Sequence, residues 1–501
     1  MFWAKSYPIC HQFATEVGLF RLKGISWGLV LLLAAAAGAQ APRDPAPPPS
    51  SSAAQSAAPS PARQDKKRKE RRISQQDADE LFRSMDRILK FVSEDTGLPI
   101  LHPVARALAT REQVEAFVQQ EVKGDRSSEV VLKKFGLLPR DFDLDKYLVD
   151  LMGEQVAGYY DTKTKTMYLL DWVRPETQKS VLAHELTHAL QDQSFDLEKW
   201  LHPAAPKDAG DGVADETSTT RRAVVEGQAM MTLIDYMLQP TGRRLTFSPE
   251  ILAQFGHLNF SNPDFPLLKS APPMLQDVLS FPYTYGLGFE YELLLHGGKK
   301  RAFREVFRAP PVSTRQIMEP ETYLRGEQVP PMHFPEMKPI LGSEYRRFGD
   351  GAVGEFDVYL LLKQFSGEKE ARKLSTKWRG GIYFAAQEGA PEAAGDAKPD
   401  AERPADPASI ALLYFSRWAT PADALRFSND YATSVEKKYR SATALPQTGT
   451  ALRAWSTEEG PVWIEVQGDR VVVTESFDDA TAARLRAALL AQPEPALVEV
   501  H

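Results

Sequence analysis

The chain has 501 residues, enough for two or three domains with sizeable hydrophobic cores, and its composition is that of a globular protein. Its formal net charge of −7 argues against a protein that binds nucleic acid. Cys10 is the only cysteine, which excludes a disulfide framework and a thiolate metal site.

Residues 1–41 have the pattern of a signal peptide. Arg21 and Lys23 precede an apolar run at 25–37, and the small residues at 37–39 suit a signal peptidase. The apolar run is shorter than the ~20 residues needed to span a bilayer, so an uncleaved membrane anchor is the weaker alternative. We therefore expect a secreted, periplasmic or extracellular protein with no stable membrane span after cleavage.

The next stretch, residues 42–73, is predicted to be a flexible linker. It consists mainly of Pro, Ala and Ser, which cannot bury a core, and it ends in a basic run at 66–72. That run fits the solvated start of a helix, with a contact to a wall or membrane, or a processing site, as alternatives. Ordered structure is expected from Ser74 onward, beginning with helices.

Two short aromatic and β-branched runs, at 156–161 and 166–170, flank a polar turn and predict a β-hairpin. An edge strand of this hairpin could pair with an extended peptide. A helix is predicted directly after it, with Pro175 at its start and Asp196 at its end. The hairpin should therefore form a small sheet beside that helix.

The predicted helix carries the pattern His-Glu-x-x-His at 184–188. His184 and His188, four residues apart, lie on one helix face and can reach a single ion. Imidazole is a good zinc ligand, and Glu185 is placed to take a proton from a water held by that ion. The alternative is a surface helix with two histidines and an unrelated carboxylate. The apolar residues at positions 182, 186, 189 and 190 favour a buried helix, which would hold the histidines still.

A third protein ligand is still required, and Glu226 is the better candidate. It lies in a predicted helix at 221–238, on the same face as Ala223, Met230 and Leu233, and a carboxylate on an apolar face needs a partner such as a metal. A buried arginine could instead be that partner. Asp192 and Asp196 are further alternatives, but they would have to bend back from the helix that carries the histidines. Gly227 would let a second helix approach closely.

The motif at 184–188, followed by Glu226-Gly227-Gln228-Ala229, resembles the gluzincin group of zinc metallopeptidases. The resemblance covers about residues 150–240, and more narrowly the run 159–238 is similar to secreted bacterial neutral zinc metallopeptidase-like proteins. It implies a zincin-like domain, one Zn²⁺ ion, a peptide or protein substrate and a third ligand in the Glu-Gly-x-Ala helix. In one departure, the segment 196–220 between the motifs is longer and is predicted to be an inserted loop. The resemblance also implies a residue that stabilises the oxyanion, for which the candidates are Tyr283, Tyr285 and His257.

The remaining chain completes the predicted architecture, a mainly helical α+β protein. The metallopeptidase-like domain is expected at 74–376, with a helix near 289–295 preceded by an aromatic cluster at 281–286. A small C-terminal α+β domain is expected at 377–501, with a disordered insertion at about 387–407.

These expectations combine into a secreted zinc-dependent peptidase, with metal ligands His184, His188 and Glu226 and with Glu185 as general base. A zinc-stabilised protein without catalysis and a cell-wall peptide amidase are the alternatives. Glu185 favours an enzyme, because a structural zinc site has no use for that carboxylate.

Overall fold

The computed structural model describes residues 72–121, 126–155, 157–203, 213–255, 266–389, 406–446 and 451–493. The predicted signal peptide at 1–41 and nearly all of the predicted linker at 42–73 lie outside these residues. Most of the predicted insertion at 387–407 also lies outside them, as does His257.

The chain folds as an α+β protein that is mainly helical, as the sequence predicts. The helices are α1 (Gln75–Thr96), α2 (Arg111–Glu121), α3 (Arg126–Phe135), α4 (Leu144–Gln155), α5 (Pro175–Phe195), α6 (Leu197–Leu201), α7 (Val213–Leu238), α8 (Pro249–Phe255), α9 (Pro266–Ser270), α10 (Pro273–Lys300), α11 (Val306–Arg308), α12 (Thr314–Met318), α13 (Pro320–Leu324), α14 (Met337–Leu341), α15 (Glu355–Ser366), α16 (Glu368–Leu374), α17 (Pro421–Lys438) and α18 (Asp479–Leu490). A π-helical turn, Arg301–Glu305, links α10 to α11. None of the described helices is both long and apolar enough to cross a membrane.

The strands form two sheets. They are β1 (Ala105–Ala109), β2 (Gly158–Asp161), β3 (Thr166–Leu170), β4 (Tyr345–Ala352), β5 (Trp378–Glu388), β6 (Ile410–Trp418), β7 (Ala442–Ala444), β8 (Leu452–Thr457), β9 (Gly460–Gln467) and β10 (Arg470–Glu475). The smaller sheet has the order β1-β3-β2, in which β1 is parallel and β2 antiparallel to β3. The predicted hairpin is thus confirmed, and β2 is an edge strand.

Helix α5 lies beside β2 and is buried along most of its length. Pro175 occupies its first turn, and Asp196 ends it in the left-handed conformation with φ of 53°. All residues from 181 to 192 are buried. The sequence predicted one apolar stripe, but the helix is covered on all sides because α1 and α7 pack against it as well as the sheet.

The predicted inserted loop at 196–220 is wrong over much of its length. Helix α6 occupies its start, and the first two turns of α7 occupy its end. Tertiary contacts hold those turns: Thr220 Oγ1 donates to Pro311 O at 2.8 Å, and the buried Glu216 accepts a hydrogen bond from Thr314 N at 2.7 Å. These contacts override the weak helix propensity of a Ser- and Thr-rich segment.

Helices α7 and α10 cross at two glycines, which confirms the close approach predicted at Gly227. A Cβ atom on Gly227 would lie 2.3 Å from the backbone C and O of Gly286, and one on Gly286 would lie 2.2 Å from Ala223 O. The predicted helix at 289–295 is only the middle of α10, which includes the aromatic cluster at 281–286 and continues through Pro282. The sequence predicted a helix only after the aromatic cluster, but packing against α7 keeps the cluster helical as well, Pro282 included.

The larger sheet has the order β4-β5-β6-β10-β9-β8-β7, and every neighbouring pair is antiparallel. Its two faces are covered by different helices: Tyr414 points to Phe427 of α17, whereas Phe415 belongs to the cluster that contains Leu485 of α18. The sheet begins with β4, ahead of residue 377, where the sequence predicts the C-terminal domain to start.

Buried charges join helix α3 to the larger sheet. Lys134 Nζ lies 2.8 Å from Glu459 Oε2, and Lys438 Nζ lies 2.6 Å from both oxygens of Glu475. The hydroxyl groups of Tyr431 and Tyr439 each donate to Glu475 at 2.6 Å, so this carboxylate is fully paired. The network ties the helical part of the chain to the sheet through side chains that are almost wholly excluded from water.

Candidate metal centre

Helix α5 presents both histidines of the predicted motif to one point. The imidazole rings of His184 and His188 lie one turn apart with centroids 4.7 Å from each other, and both side chains are buried. Atoms of His184, Glu185 and His188 that can bind a metal all lie within 4.8 Å of one another. This cluster could hold a metal ion. The sequence predicts His184 and His188 as its ligands but assigns Glu185 the role of base.

Helix α7 brings Glu226 to the same point. Glu226 Oε2 lies 3.0 Å from His184 Nε2 and 3.5 Å from His188 Nε2. The two histidines belong to α5, whereas Glu226 belongs to α7. Glu226 is adjacent to Gly227, where α7 crosses α10 closely. One carboxylate oxygen therefore lies within 3.5 Å of two imidazole nitrogens.

The alternative ligands Asp192 and Asp196 are directed elsewhere. Asp192 accepts hydrogen bonds from the hydroxyl of Tyr160 at 2.9 Å, from Lys165 Nζ at 2.7 Å and from the backbone nitrogen of Leu197 at 3.1 Å. Asp196 is at the surface and pairs with Lys199. Both carboxylates are thus committed to the end of α5 and not to the histidines.

The charges of the cluster are strongly coupled. Burial lowers the pKa of His188, but Glu226, together with Glu185 and Gln191, raises it to about 9. Burial likewise opposes the ionisation of Glu226, yet His188 and His184 bring its pKa down to about 2. Burial lowers the pKa of His184. In the metal-free protein a His188 imidazolium therefore faces a Glu226 carboxylate.

Glu185 is held by the edge strand of the smaller sheet. Its Oε2 accepts a hydrogen bond from the backbone nitrogen of Tyr160 in β2 at 2.7 Å. Its Oε1 is buried and, among the described residues, has no hydrogen-bond partner. Burial raises the pKa of Glu185 to about 8, against the opposing effects of His188 and the Tyr160 N–H group. The result is a buried carboxyl group with one oxygen able to exchange a proton.

The distances from Glu226 Oε2 to the two histidine nitrogens fit a tetrahedral metal site. Ligand atoms at about 2.0–2.1 Å from a tetrahedral ion lie about 3.3 Å apart. The distances of 3.0 and 3.5 Å from Glu226 Oε2 to the two imidazole nitrogens bracket that separation. An ion could therefore enter the cluster with only small shifts of the side chains.

Of the candidates for oxyanion stabilisation, Tyr283 is near the cluster and Tyr285 is not. The ring centroid of Tyr283 lies 6.2 Å from that of His184. Burial, together with the charges of Glu226 and Glu185, raises the pKa of Tyr283 well above its ordinary value. Tyr285 instead packs against Phe281, away from the histidines.

Two residues near the histidines were not singled out from the sequence. Tyr160 contributes its backbone N–H group to Glu185, and Gln191 Oε1 lies 2.9 Å from His188 Nδ1. A backbone donor leaves no trace in a sequence. Gln191 did leave one, because it lies three residues after His188 and therefore on the same face of the helix.

A family model described as a domain of unknown function (DUF8575) matches residues 343–486. The matched region takes in the larger sheet from β4 to β10 and most of α18, and it excludes the metal centre. No match was found among curated proteins or among solved structures.

Proposed function

We propose that this protein is a zinc-dependent peptidase in which His184, His188 and Glu226 bind the ion and Glu185 is the general base. The observation that carries the proposal is the convergence of two imidazole nitrogens and Glu226 Oε2, within 3.5 Å, beside a buried carboxylate. The resemblance of the two sequence motifs to those of gluzincins supports the same assignment.

The donor set favours zinc over calcium or magnesium. Calcium and magnesium prefer oxygen ligands, whereas two imidazoles with one carboxylate suit zinc and leave a fourth position for water or substrate. Glu226 is preferred to Glu185 as third ligand because its Oε2 is close to both histidines. Glu185 Oε2 is already bound to the Tyr160 N–H group.

A zinc ion at this point would polarise a substrate carbonyl and lower the pKa of water. The charge of the zinc ion would also lower the pKa of the Glu185 carboxyl group from about 8, so that ionised Glu185 would take a proton from the attacking water on its unpartnered Oε1 and return it to the leaving amine. Strand β2 would align an extended peptide along its outer edge, which lies beside Glu185. Tyr283 is the candidate to donate a hydrogen bond to the oxyanion.

One observation favours a second candidate function, a zinc-stabilised protein without catalysis. Glu185 is completely buried, and His184 and His188 are 0 % and 1 % exposed. A site of purely structural zinc would be closed in this way. The unpartnered Oε1 of Glu185 argues for the enzyme, because a structural role would leave a buried polar atom without a function.

Hydrolysis of a broad peptide mixture by the purified zinc-loaded protein tests the proposal. The substitution Glu185→Gln keeps the shape of the side chain and should reduce hydrolysis by ~10²–10⁴-fold while zinc content and folding stay near those of the wild type. Glu176→Gln is the matched control, since Glu176 is an exposed glutamate in the first turn of the same helix. This control should leave the rate unchanged.

Two results would count against the proposal. A wild-type protein that binds one zinc ion but cleaves no peptide would favour the non-catalytic alternative. A large loss of stability in Glu185→Gln would mean that the Glu185 carboxylate is a structural partner of the Tyr160 N–H group and is not a base.

A further inference from the structure

We infer that Gln191 and Gln228 form a directional amide relay that keeps a proton on His188 Nδ1 and so presents Nε2 as the metal-binding atom. The inference rests on the proposed function only in treating Nε2 of His188 as a metal ligand. Both glutamines are completely buried, one on α5 and the other on α7.

The relay is a continuous chain of hydrogen bonds between three helical segments. Gln191 Oε1 lies 2.9 Å from His188 Nδ1, and Gln191 Nε2 donates to Val225 O at 3.1 Å and to Gln228 Oε1 at 2.8 Å. Gln228 Nε2 then donates to Ala302 O at 2.7 Å. Each amide thus uses both its oxygen and its nitrogen within the protein interior.

Two backbone carbonyl groups fix the orientation of both amides. A carbonyl oxygen accepts hydrogen bonds and cannot donate them, so the atom of Gln191 that faces Val225 O must be its NH₂ group. The same argument at Ala302 O fixes the amide of Gln228. The atom of Gln191 that faces His188 Nδ1 is therefore the carbonyl oxygen, an acceptor, and Nδ1 must carry a proton.

This orientation leaves Nε2 of His188 as the nitrogen available to a metal, and Nε2 is the atom that lies 3.5 Å from Glu226 Oε2. A histidine that binds a metal characteristically donates its other ring N–H to a fixed acceptor, which sets the tautomer and the ring orientation. His184 differs, because its Nδ1 is buried and has no hydrogen-bond partner among the described residues. The relay therefore makes His188 the more firmly oriented of the two histidines.

The relay ends in an irregular part of the backbone. Ala302 lies in the π-helical turn Arg301–Glu305, just after Gly298 changes the chain direction with φ of 64°. Glu290 is buried near Gln228, and burial raises its pKa well above the usual range. The orientation of His188 is thus tied to the junction between α10 and α11.

Zinc affinity of the folded full-length protein, measured by competition with a chromophoric chelator, tests the relay without relying on hydrolysis. Gln191→Leu removes the acceptor for Nδ1–H and should weaken zinc binding by ~10–100-fold. Gln191→Glu keeps an acceptor at that position and should bind zinc within about threefold of the wild type. Its loss of two donated hydrogen bonds should appear only as earlier unfolding in urea.

Gln193→Leu is the matched control. Gln193 lies on the same helix and, like Gln191, makes three side-chain hydrogen bonds. Its Oε1 accepts from Leu101 N and His102 N, and its Nε2 donates to His102 O. Its loss should reduce stability and leave zinc affinity unchanged. Should Gln191→Leu not fold, Gln228→Met removes the outer half of the relay and should also weaken zinc binding.

The relay is upheld if Gln191→Leu, or Gln228→Met in its place, weakens zinc binding while Gln191→Glu and Gln193→Leu do not. The relay is overturned if Gln191→Leu, or Gln228→Met in its place, binds zinc as tightly as the wild type. It is also overturned if Gln191→Glu loses as much affinity as Gln191→Leu. If these affinities are found but the wild-type protein hydrolyses no peptide, the relay stands and only the peptidase proposal is refuted.

Discussion

The close crossing of α7 and α10 at Gly227 and Gly286 predicts how an alanine at position 227 changes the stability of the protein. In Gly227→Ala the new Cβ atom would lie 2.3 Å from backbone atoms of Gly286, where ordinary contacts begin at 3.4 Å. The obstacle is backbone and cannot rotate away, so the helices would have to separate by about 1 Å. We expect a destabilisation of about 1–3 kcal/mol or more, the range for overpacked cores.

The same displacement should weaken metal binding. Glu226 is adjacent to Gly227, and its Oε2 must stay close to both histidines, whereas metal–ligand distances tolerate shifts of only about 0.2 Å. Gly288→Ala is the matched control: a Cβ atom there meets nothing within 4 Å, although Gly288 lies on α10 only two residues from the crossing. This control should raise stability by up to about 1 kcal/mol, the difference in helix propensity between the two residues.

Urea unfolding of the metal-free proteins and zinc affinity of the folded proteins provide the assay. We expect Gly227→Ala to lower stability and Gly288→Ala to raise it, and zinc binding to weaken in Gly227→Ala only. If Gly227→Ala were as stable as the wild type and bound zinc equally well, the close crossing would not be what positions Glu226.

Three further predictions follow from other parts of the structure. His188 has a pKa of about 9 in the metal-free protein and must lose a proton when zinc binds, so zinc affinity should fall about tenfold for each pH unit as the pH is lowered from about 8 to 6. Calorimetry in buffers of different ionisation enthalpy should detect the released proton, and an affinity that does not change with pH would contradict this. Tyr283→Phe should lower kcat by ~10²–10³-fold if its hydroxyl stabilises the oxyanion, whereas Tyr285→Phe should not, and equal rates for both variants would remove Tyr283 from that role. Glu475→Gln leaves a buried lysine without its counter-charge and should cost about 3–5 kcal/mol in urea unfolding with no change in zinc affinity; an unaltered unfolding midpoint would show that the network contributes little.

The elements around the metal centre were largely predictable because their signals are local. The turn between β2 and β3, the proline that starts α5 and the four-residue spacing of His184 and His188 all follow from neighbours in the sequence. Glu226 could be found because a carboxylate on an apolar helix face needs a partner. The α+β class follows from the same local patterns.

The features that could not be predicted depend on contacts between distant segments. Examples are the crossing of Gly227 with Gly286, the hydrogen bond from the Tyr160 backbone to Glu185 and the pairing of β1 with β3. The local sequence of either partner does not indicate the other. The sequence prediction also missed the helical start of α7 and the part of α10 that contains Pro282, for a similar reason. In both cases tertiary packing outweighed the local preference of the residues.

The most direct test of the central assignment is anomalous X-ray diffraction at the zinc edge from crystals of the zinc-loaded protein. We expect one zinc peak, bound by Nε2 of His184, Nε2 of His188 and a carboxylate oxygen of Glu226 at about 2.0–2.2 Å. Glu185 should lie outside the ligand set, with one oxygen facing the open position. A peak bound by Glu185 in place of Glu226, or no peak between the two histidines, would contradict it.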